Sequence, residues 1–388
     1  MKQKTSIFTT KFSLILLMII LITSTPRLTG CSVIESIFAE KPTQENTYLT
    51  IADVNKAMTE AMMRGETEIS FNIANASEDD LTHVAQNMSS FWGNPKSFMV
   101  NREFEELEGI VEGETVNVKK VTSTLELSDN YYVIRNIVDG EEIPNSQTNA
   151  QAIASALPAI IEEAFAGIGD SPYEKTLAIH DWLISNLTYD ETVEENGPEN
   201  GSYGAIIDRK TMCQGYAEAM QLLLTCYTNI ENEMITGTAQ SAQGEPWIGH
   251  AWNMVKMEDQ YYHIDVTFDD PQENESLAIS HFYFAQNDTI MSSNHKWEPG
   301  YFPVSEGEEF FYYKKSGLFA NNKAEFETIV TNAVKNDNPL VIEVAAAGTN
   351  VNDSSLQFIF RANNNIHEIY WTEAKYGDIS VYNFEPQY

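Results

Sequence analysis

Apolar positions recur along the chain with two different periods, and the change from one to the other outlines an α+β protein. Spacings of three and four predict helices near Ile51 to Met63, near Asp79 to Phe91, over Ala150 to Ala166, from Pro172 to Leu187 and over Met212 to Cys226. Runs rich in β-branched and aromatic residues predict strands at Glu68 to Ile73, Phe98 to Leu107, Val116 to Leu125 and Tyr131 to Val138. Two further runs, Trp247 to Met257 and Gln260 to Phe268, read as a hairpin turning at Glu258-Asp259. Beyond them the pattern predicts strands at Phe310 to Tyr313 and Leu340 to Val344, with an amphipathic helix from Lys323 to Val334 between them. A helix from Ser354 to Arg361 and strands around Ile369 and over Ile379 to Phe384 complete the chain.

Breakers divide these elements into groups. Gly167-Ile168-Gly169 ends one helix, and Asp170-Ser171-Pro172 opens the next with a cap and a proline that the first turn tolerates. Asp190 to Gly201 is an acidic loop containing glycine and proline. The expected organisation is a signal segment over 1–30, a tether over 31–47, a small α+β domain over 48–144, a catalytic domain over 145–305 and a C-terminal α+β domain over 306–388. In the small domain, Ser77 reads as a helix cap and His83 as a surface or boundary residue.

The first thirty residues change the picture. Lys2, Lys4 and Lys11 precede an apolar run, Phe12 to Ile22, that is right for an export signal and short of the about 20 residues a spanning helix needs. Leu28-Thr29-Gly30-Cys31 then resembles a bacterial lipobox, which implies lipidation at Cys31 and a chain anchored to the outer face of a bacterial cell membrane. Charge fits an exported surface: 57 acidic against 23 basic residues give a formal net charge of -34. Such a surface repels phosphate backbones, so nucleic acid is not an expected partner.

Cysteine is scarce, with Cys31, Cys213 and Cys226 the only three. That number excludes a disulfide framework and a cysteine-based zinc site. Thirteen helical residues separate Cys213 from Cys226, about 19 Å at 1.5 Å per residue, so both are expected as free thiols. Cys226, deep in its helix, reads as a small buried hydrophobe. Cys213 falls at a helix start, where backbone N–H groups and the macrodipole favour a thiolate.

Downstream of Cys213 lie the other parts of an activated-thiol site. With a two-residue turn at Glu258-Asp259, numbers of opposed hairpin residues have a constant sum, so Trp252 faces Asp265 and His250 faces Thr267. His250 and Asp265 then become diagonal neighbours on one face, about 7–8 Å apart at Cα. A slip by one residue would separate them. Asp265 would orient the imidazole of His250, and the second ring nitrogen would take the proton of Cys213. His263 is a rival base, and Asp269 and Asp270 are rival carboxylates. His180, beside Trp182 on an apolar face, reads as core.

Three segments, Cys213-Gln214-Gly215-Tyr216-Ala217, Gly249-His250-Ala251-Trp252-Asn253 and His263-Ile264-Asp265-Val266-Thr267-Phe268-Asp269-Asp270-Pro271, resemble the transglutaminase-like superfamily. Within it they are most similar to a bacterial lipoprotein branch related to transglutaminase-like cysteine peptidases. The resemblance spans roughly Ser171 to Trp297, because His281-Phe282-Tyr283-Phe284 and His295-Lys296-Trp297 also match. It implies a papain-like core, the thiol helix packed on an antiparallel sheet, with Cys213 as nucleophile, His250 as general base and Asp265 as orienting carboxylate. It also implies an oxyanion site made by the Cys213 backbone N–H and an upstream side chain, for which Tyr189 is the candidate. No cofactor and no metal are expected. The implied activity is thiol acyl transfer on a protein or peptide substrate, hydrolysis being favoured. A cross-linking transglutaminase and a non-catalytic surface binding or assembly lipoprotein are the alternatives.

Overall fold

The computed structural model describes residues 48–49, 61, 66–75, 97–111, 114–194, 197–241, 244–271, 279–297, 302–336 and 339–388. Cys31, the export signal, His83, Ser77 and the predicted helix near Asp79 to Phe91 lie outside them, as does nearly all of the predicted helix near Ile51 to Met63.

An N-terminal sheet comes first: β1 (Tyr48–Leu49), β2 (Glu68–Ala74), β3 (Ser97–Val111) and β4 (Glu114–Glu126), in the order β1-β2-β4-β3. The segment predicted as a strand at Tyr131 to Val138 is instead a helix, α1 (Asp129–Ile134), followed by a π-helical turn, Arg135–Asp139. The Ser128 side chain accepts from the Tyr131 N–H and caps it, and burial falls on Asn130, Tyr131, Val133 and Ile134. Aromatic and β-branched content suggested a strand, but the cap and the spacing of three and four favour the helix.

Helix α2 (Thr148–Ala164) leads to α3 (Pro172–Asn186). At the start of α3, Ser171 and Glu174 exchange both bonds of a capping box, with Pro172 in the first turn. The short strands β5 (Thr188–Tyr189) and β6 (Lys210–Thr211) pair in parallel, Tyr189 opposite Thr211. They deliver the chain to α4 (Cys213–Tyr227), almost wholly buried from Gly215 to Leu224.

Strands β7 (Asn232–Ala239), β8 (Ile248–Met257) and β9 (Gln260–Ile264) form the middle of a five-stranded antiparallel sheet. A helical turn, α5 (Val266–Asp269), follows, and β10 (Phe284–Gln286), α6 (Asp288–Met291) and β11 (His295–Lys296) complete the unit in the order β10-β9-β8-β7-β11. Alternation along β8 sends residues to two cores. Val255 and Met257 pack with the helices, whereas Trp252 and Met254 pack with Phe282, Tyr283 and residues of the last sheet.

The aromatic run predicted as a strand at Phe310 to Tyr313 is a bend into a short helix, α7 (Tyr312–Lys315). Phe310 belongs to the helical core while Phe311 and Tyr313 belong to the other. Burial to both sides, and not a pleated surface, is what the aromatics serve here. Then β12 (Phe319–Ala320), α8 (Lys323–Asn336), β13 (Ile342–Ala347), α9 (Gln357–Ala362), β14 (Glu368–Tyr376) and β15 (Ile379–Gln387) build a four-stranded sheet ordered β12-β13-β15-β14. The whole is a mixed α+β protein with additional sheets beside its central one.

Two features fix α4, one to the central sheet and one to the loop before β6. Asn253 on β8 donates from Nδ2 to the Ala217 carbonyl at 3.0 Å, and Glu218, buried, accepts from the Ser202 N–H at 2.9 Å and Gln214 Nε2 at 2.8 Å. Gly215 makes the approach of β6 possible, since a Cβ there would lie 2.0 Å from Thr211 Oγ1. Gly215→Ala is therefore expected to destabilise the fold by about 1–3 kcal/mol. Adding Thr211→Ala should recover part of that loss, and urea denaturation of the single and double variants measures both.

Candidate active site

Cys213 is the first residue of α4, preceded by Met212 in an extended cap conformation that offers no side-chain cap. First-turn N–H groups have no partners within a helix, so the Cys213 N–H stands where an anionic oxygen beside the thiol would be stabilised.

His250 and Asp265 meet in the register read from sequence. Met257 opposes Gln260, Val255 opposes Tyr262 and Asn253 opposes Ile264, so the ladder extended by one step sets Trp252 against Asp265. The predicted strand Gln260 to Phe268, however, ends at Ile264. Asp265 is the N-cap of α5, and its Oδ1 accepts from the Phe268 N–H at 3.1 Å. Leaving the strand turns the carboxylate back toward β8, where Oδ2 sits 2.6 Å from His250 Nε2. Cys213 is close enough to the same imidazole to raise its affinity for a proton. Thiol, imidazole and carboxylate are thus neighbours.

The electrostatics favour a charged imidazole. Burial lowers the affinity of His250 for a proton, but the Asp265 carboxylate and the bonds to Asp265 and Cys213 outweigh it and raise its pKa to about 10. For Asp265 burial pulls upward, and His250 and His295 hold it well below the usual carboxylate range.

His295, on β11, is the functional residue that sequence reasoning left without a role. Its Nε2 lies 2.8 Å from the same Asp265 oxygen, and its Nδ1 lies 2.8 Å from Asn294 Oδ1. The strand pair that carries it is close-set, because a Cβ on Gly237 would lie 2.1 Å from the Lys296 carbonyl oxygen. The signal was there in His295-Lys296-Trp297, but only the fold brings β11 beside β7, thirty residues from Asp265.

The rivals are occupied elsewhere. His263 accepts from Trp252 Nε1 at Nδ1, 3.0 Å away, and its Nε2 bonds Asp288 at 2.8 Å. Burial lowers its pKa despite Asp288. Asp269 accepts from the Tyr283 N–H at 3.0 Å and from Ser280, and lies 3.2 Å from His180 Nε2. Asp270 accepts from the Tyr216 hydroxyl at 2.6 Å. Cys226 packs against the helical core, and burial pushes its thiol far up.

Tyr189, two residues upstream in register through its pairing with Thr211, is half-buried. Burial, then the nearby Cys213, push its phenol up to about 12, so it remains a proton donor at neutral pH.

A family description, the transglutaminase-like superfamily, matches residues 161–266, a span holding Cys213, His250 and Asp265. This segment is a transglutaminase-like superfamily core domain. Among solved structures, the chain is similar to a TGase, at 13% identity over 53% of this chain and 53% of that one, with a TM-score of 0.27. A putative cysteine protease from Cytophaga hutchinsonii shares 16% identity over 44% of this chain and 65% of its own, with a TM-score of 0.26. The periplasmic domain of TgpA from Pseudomonas aeruginosa, solved with ethylmercury, shares 15% identity over 43% and 65%, with a TM-score of 0.22. The chain covers less than two thirds of each of these three. No curated protein matches it. His295 lies beyond the matched part of the transglutaminase-like core.

Two expectations follow. A raised histidine pKa stabilises the fold below about 6.5 and ceases to as pH climbs through about 10. The stability gap between the native chain and His250→Gln should therefore be widest near pH 6 and shrink toward pH 10 in urea titrations. Asp265→Asn keeps an oxygen for the Phe268 N–H but removes the charge that holds His250 protonated. At pH 6 iodoacetamide should then modify Cys213 at least about tenfold more slowly.

Proposed function

We propose that this protein is a thiol acyl-transfer enzyme that hydrolyses peptide or amide bonds. The observation that carries the reading is the buried contact of His250 with Asp265, 2.6 Å long, on an imidazole whose proton affinity Cys213 also raises. Cys213 attacks the carbonyl carbon, and the Cys213 N–H and the Tyr189 hydroxyl donate to the resulting oxyanion. His250 passes its proton to the departing amine, which leaves a thioester on Cys213. Water, deprotonated by His250, then adds to that thioester, and the acid product departs. Asp265 holds the ring through Nε2 in both halves of the cycle, with His295 as a positioning residue behind it.

The substrate in this reading is a protein or peptide of the cell envelope, reached by an enzyme lipid-anchored through Cys31 on the outer face of the membrane. Among the described residues no helix is long and apolar enough to cross a membrane. The formal net charge of -34 disfavours nucleic acid as a partner.

The test is alkylation of Cys213 between pH 5 and 9 together with peptide hydrolysis, with and without a primary amine. Labelling at pH 5–6 that is lost in His250→Ala and kept in Cys226→Ala is expected. Peptide cleavage that falls by at least about a thousandfold in Cys213→Ala is expected with it. Stoichiometric incorporation of the amine in place of cleavage would assign cross-linking. Labelling no faster than that of a free thiol, with no turnover, would sink the enzymatic reading.

A further inference from the structure

A second cluster of histidines and carboxylates lies outside the triad. His180 and Asp181 come from α3, Asp269 from α5, His281 from the segment before β10 and Glu343 from β13. Asp181 Oδ1 stands between the two rings, 2.9 Å from His180 Nδ1 and 3.1 Å from His281 Nε2. These three ligand atoms lie within 4.8 Å of one another. The outward nitrogens each face a further carboxylate. His180 Nε2 is 3.2 Å from Asp269 Oδ2, and His281 Nδ1 is 2.8 Å from Glu343 Oε2. The His281 ring is also stacked on Tyr312, with centroids 3.8 Å apart.

The proton count is what makes this arrangement informative. A neutral imidazole has one N–H, and Asp269 and Glu343 are placed to accept it from each ring. The inward nitrogens then direct lone pairs at a carboxylate oxygen, an arrangement that needs positive charge between them. Two additional protons supply it, and so does one divalent cation.

We propose that His180, Asp181 and His281 bind a divalent transition-metal ion through His180 Nδ1, Asp181 Oδ1 and His281 Nε2. Two nitrogens and one carboxylate oxygen suit zinc and its neighbours, not calcium or magnesium, which prefer all-oxygen sets. At metal–ligand distances of about 2.0–2.2 Å in a tetrahedral set, ligand atoms lie about 3.3–3.6 Å apart. The Asp181 contacts, at 2.9 and 3.1 Å, need to open by only a few tenths of an ångström to admit the ion. Asp269 and Glu343 play the orienting part that carboxylates play behind metal-bound histidines. Asp181, whose side chain is 39% exposed against 0% for His180 and 10% for His281, gives the ion its route in. The ion would clamp α3 to the segment after the triad and, through Glu343, to the last sheet. The site shares no residue with the triad and does not depend on the reaction proposed for it.

The test is equilibrium dialysis of the chelator-stripped full chain against Zn2+, with bound metal measured by plasma mass spectrometry. One equivalent is expected, weakened at least about a hundredfold in Asp181→Asn and His281→Gln and unchanged in Cys213→Ala. Glu343→Gln should keep the stoichiometry and lose about 10–100-fold in affinity. Anomalous scattering at the zinc edge from crystals of the native chain locates the ion even where a variant fails to fold, with a peak between His180 and His281 expected. No bound zinc, an ion located elsewhere, binding that survives Asp181→Asn and His281→Gln, or binding lost in Cys213→Ala would each overturn the proposal.

Discussion

One buried carboxylate organises the centre of this protein. Asp265 is fully enclosed, and removing a charge from water to that extent costs several kcal/mol unless its oxygens are satisfied. Here they are: a backbone N–H reaches one oxygen, and two imidazoles reach the other. Each partner comes from a different element, α5, β8 and β11, so the carboxylate can be satisfied only when hairpin, helical turn and edge strand have all assembled. The site is in that sense a product of the completed sheet.

The same sheet is covered on both faces. Helices α3 and α4 pack on one, while Trp252 and Met254 turn the other toward Phe282, Tyr283 and the last sheet, where Phe282 stacks on Tyr376 with centroids 3.6 Å apart. Such two-sided burial explains why β8 reads as a nearly continuous apolar run from Ala251 to Val255. It also explains why polar groups on it are so closely managed. Asn253 reaches the thiol helix, and the Trp252 indole N–H reaches His263.

Much of this was legible in the chain because it depended on local chemistry. The hairpin register followed from a two-residue turn, the start of α3 from Ser171, Pro172 and Glu174, and the position of Cys213 from the apolar spacing of α4. What was not legible depended on contacts between distant segments. Aromatic and β-branched residues at Tyr131 to Val138 suggested a strand because the cap at Ser128 carries less weight in a pattern than side-chain bulk. Phe310 to Tyr313 suggested another because alternation cannot reveal that neighbouring rings enter two different cores. His295 and Glu343 acquire meaning only through partners 30 and 62 residues away. The expected register held as far as Asn253 and Ile264, but Asp265 lies past the end of the strand, and that difference converts a diagonal neighbour into a direct hydrogen-bond partner.

A carboxylate is a symmetric group, with two equivalent oxygens and a low barrier to exchanging them. The Phe268 N–H removes that equivalence. By holding Oδ1 it leaves Oδ2 to the imidazoles and resists rotation of the group, which would break both sets of contacts on the way. The orientation of His250 is thereby fixed by the main chain of the turn after β9, not by a choice among side-chain rotamers, and the site inherits the rigidity of the backbone.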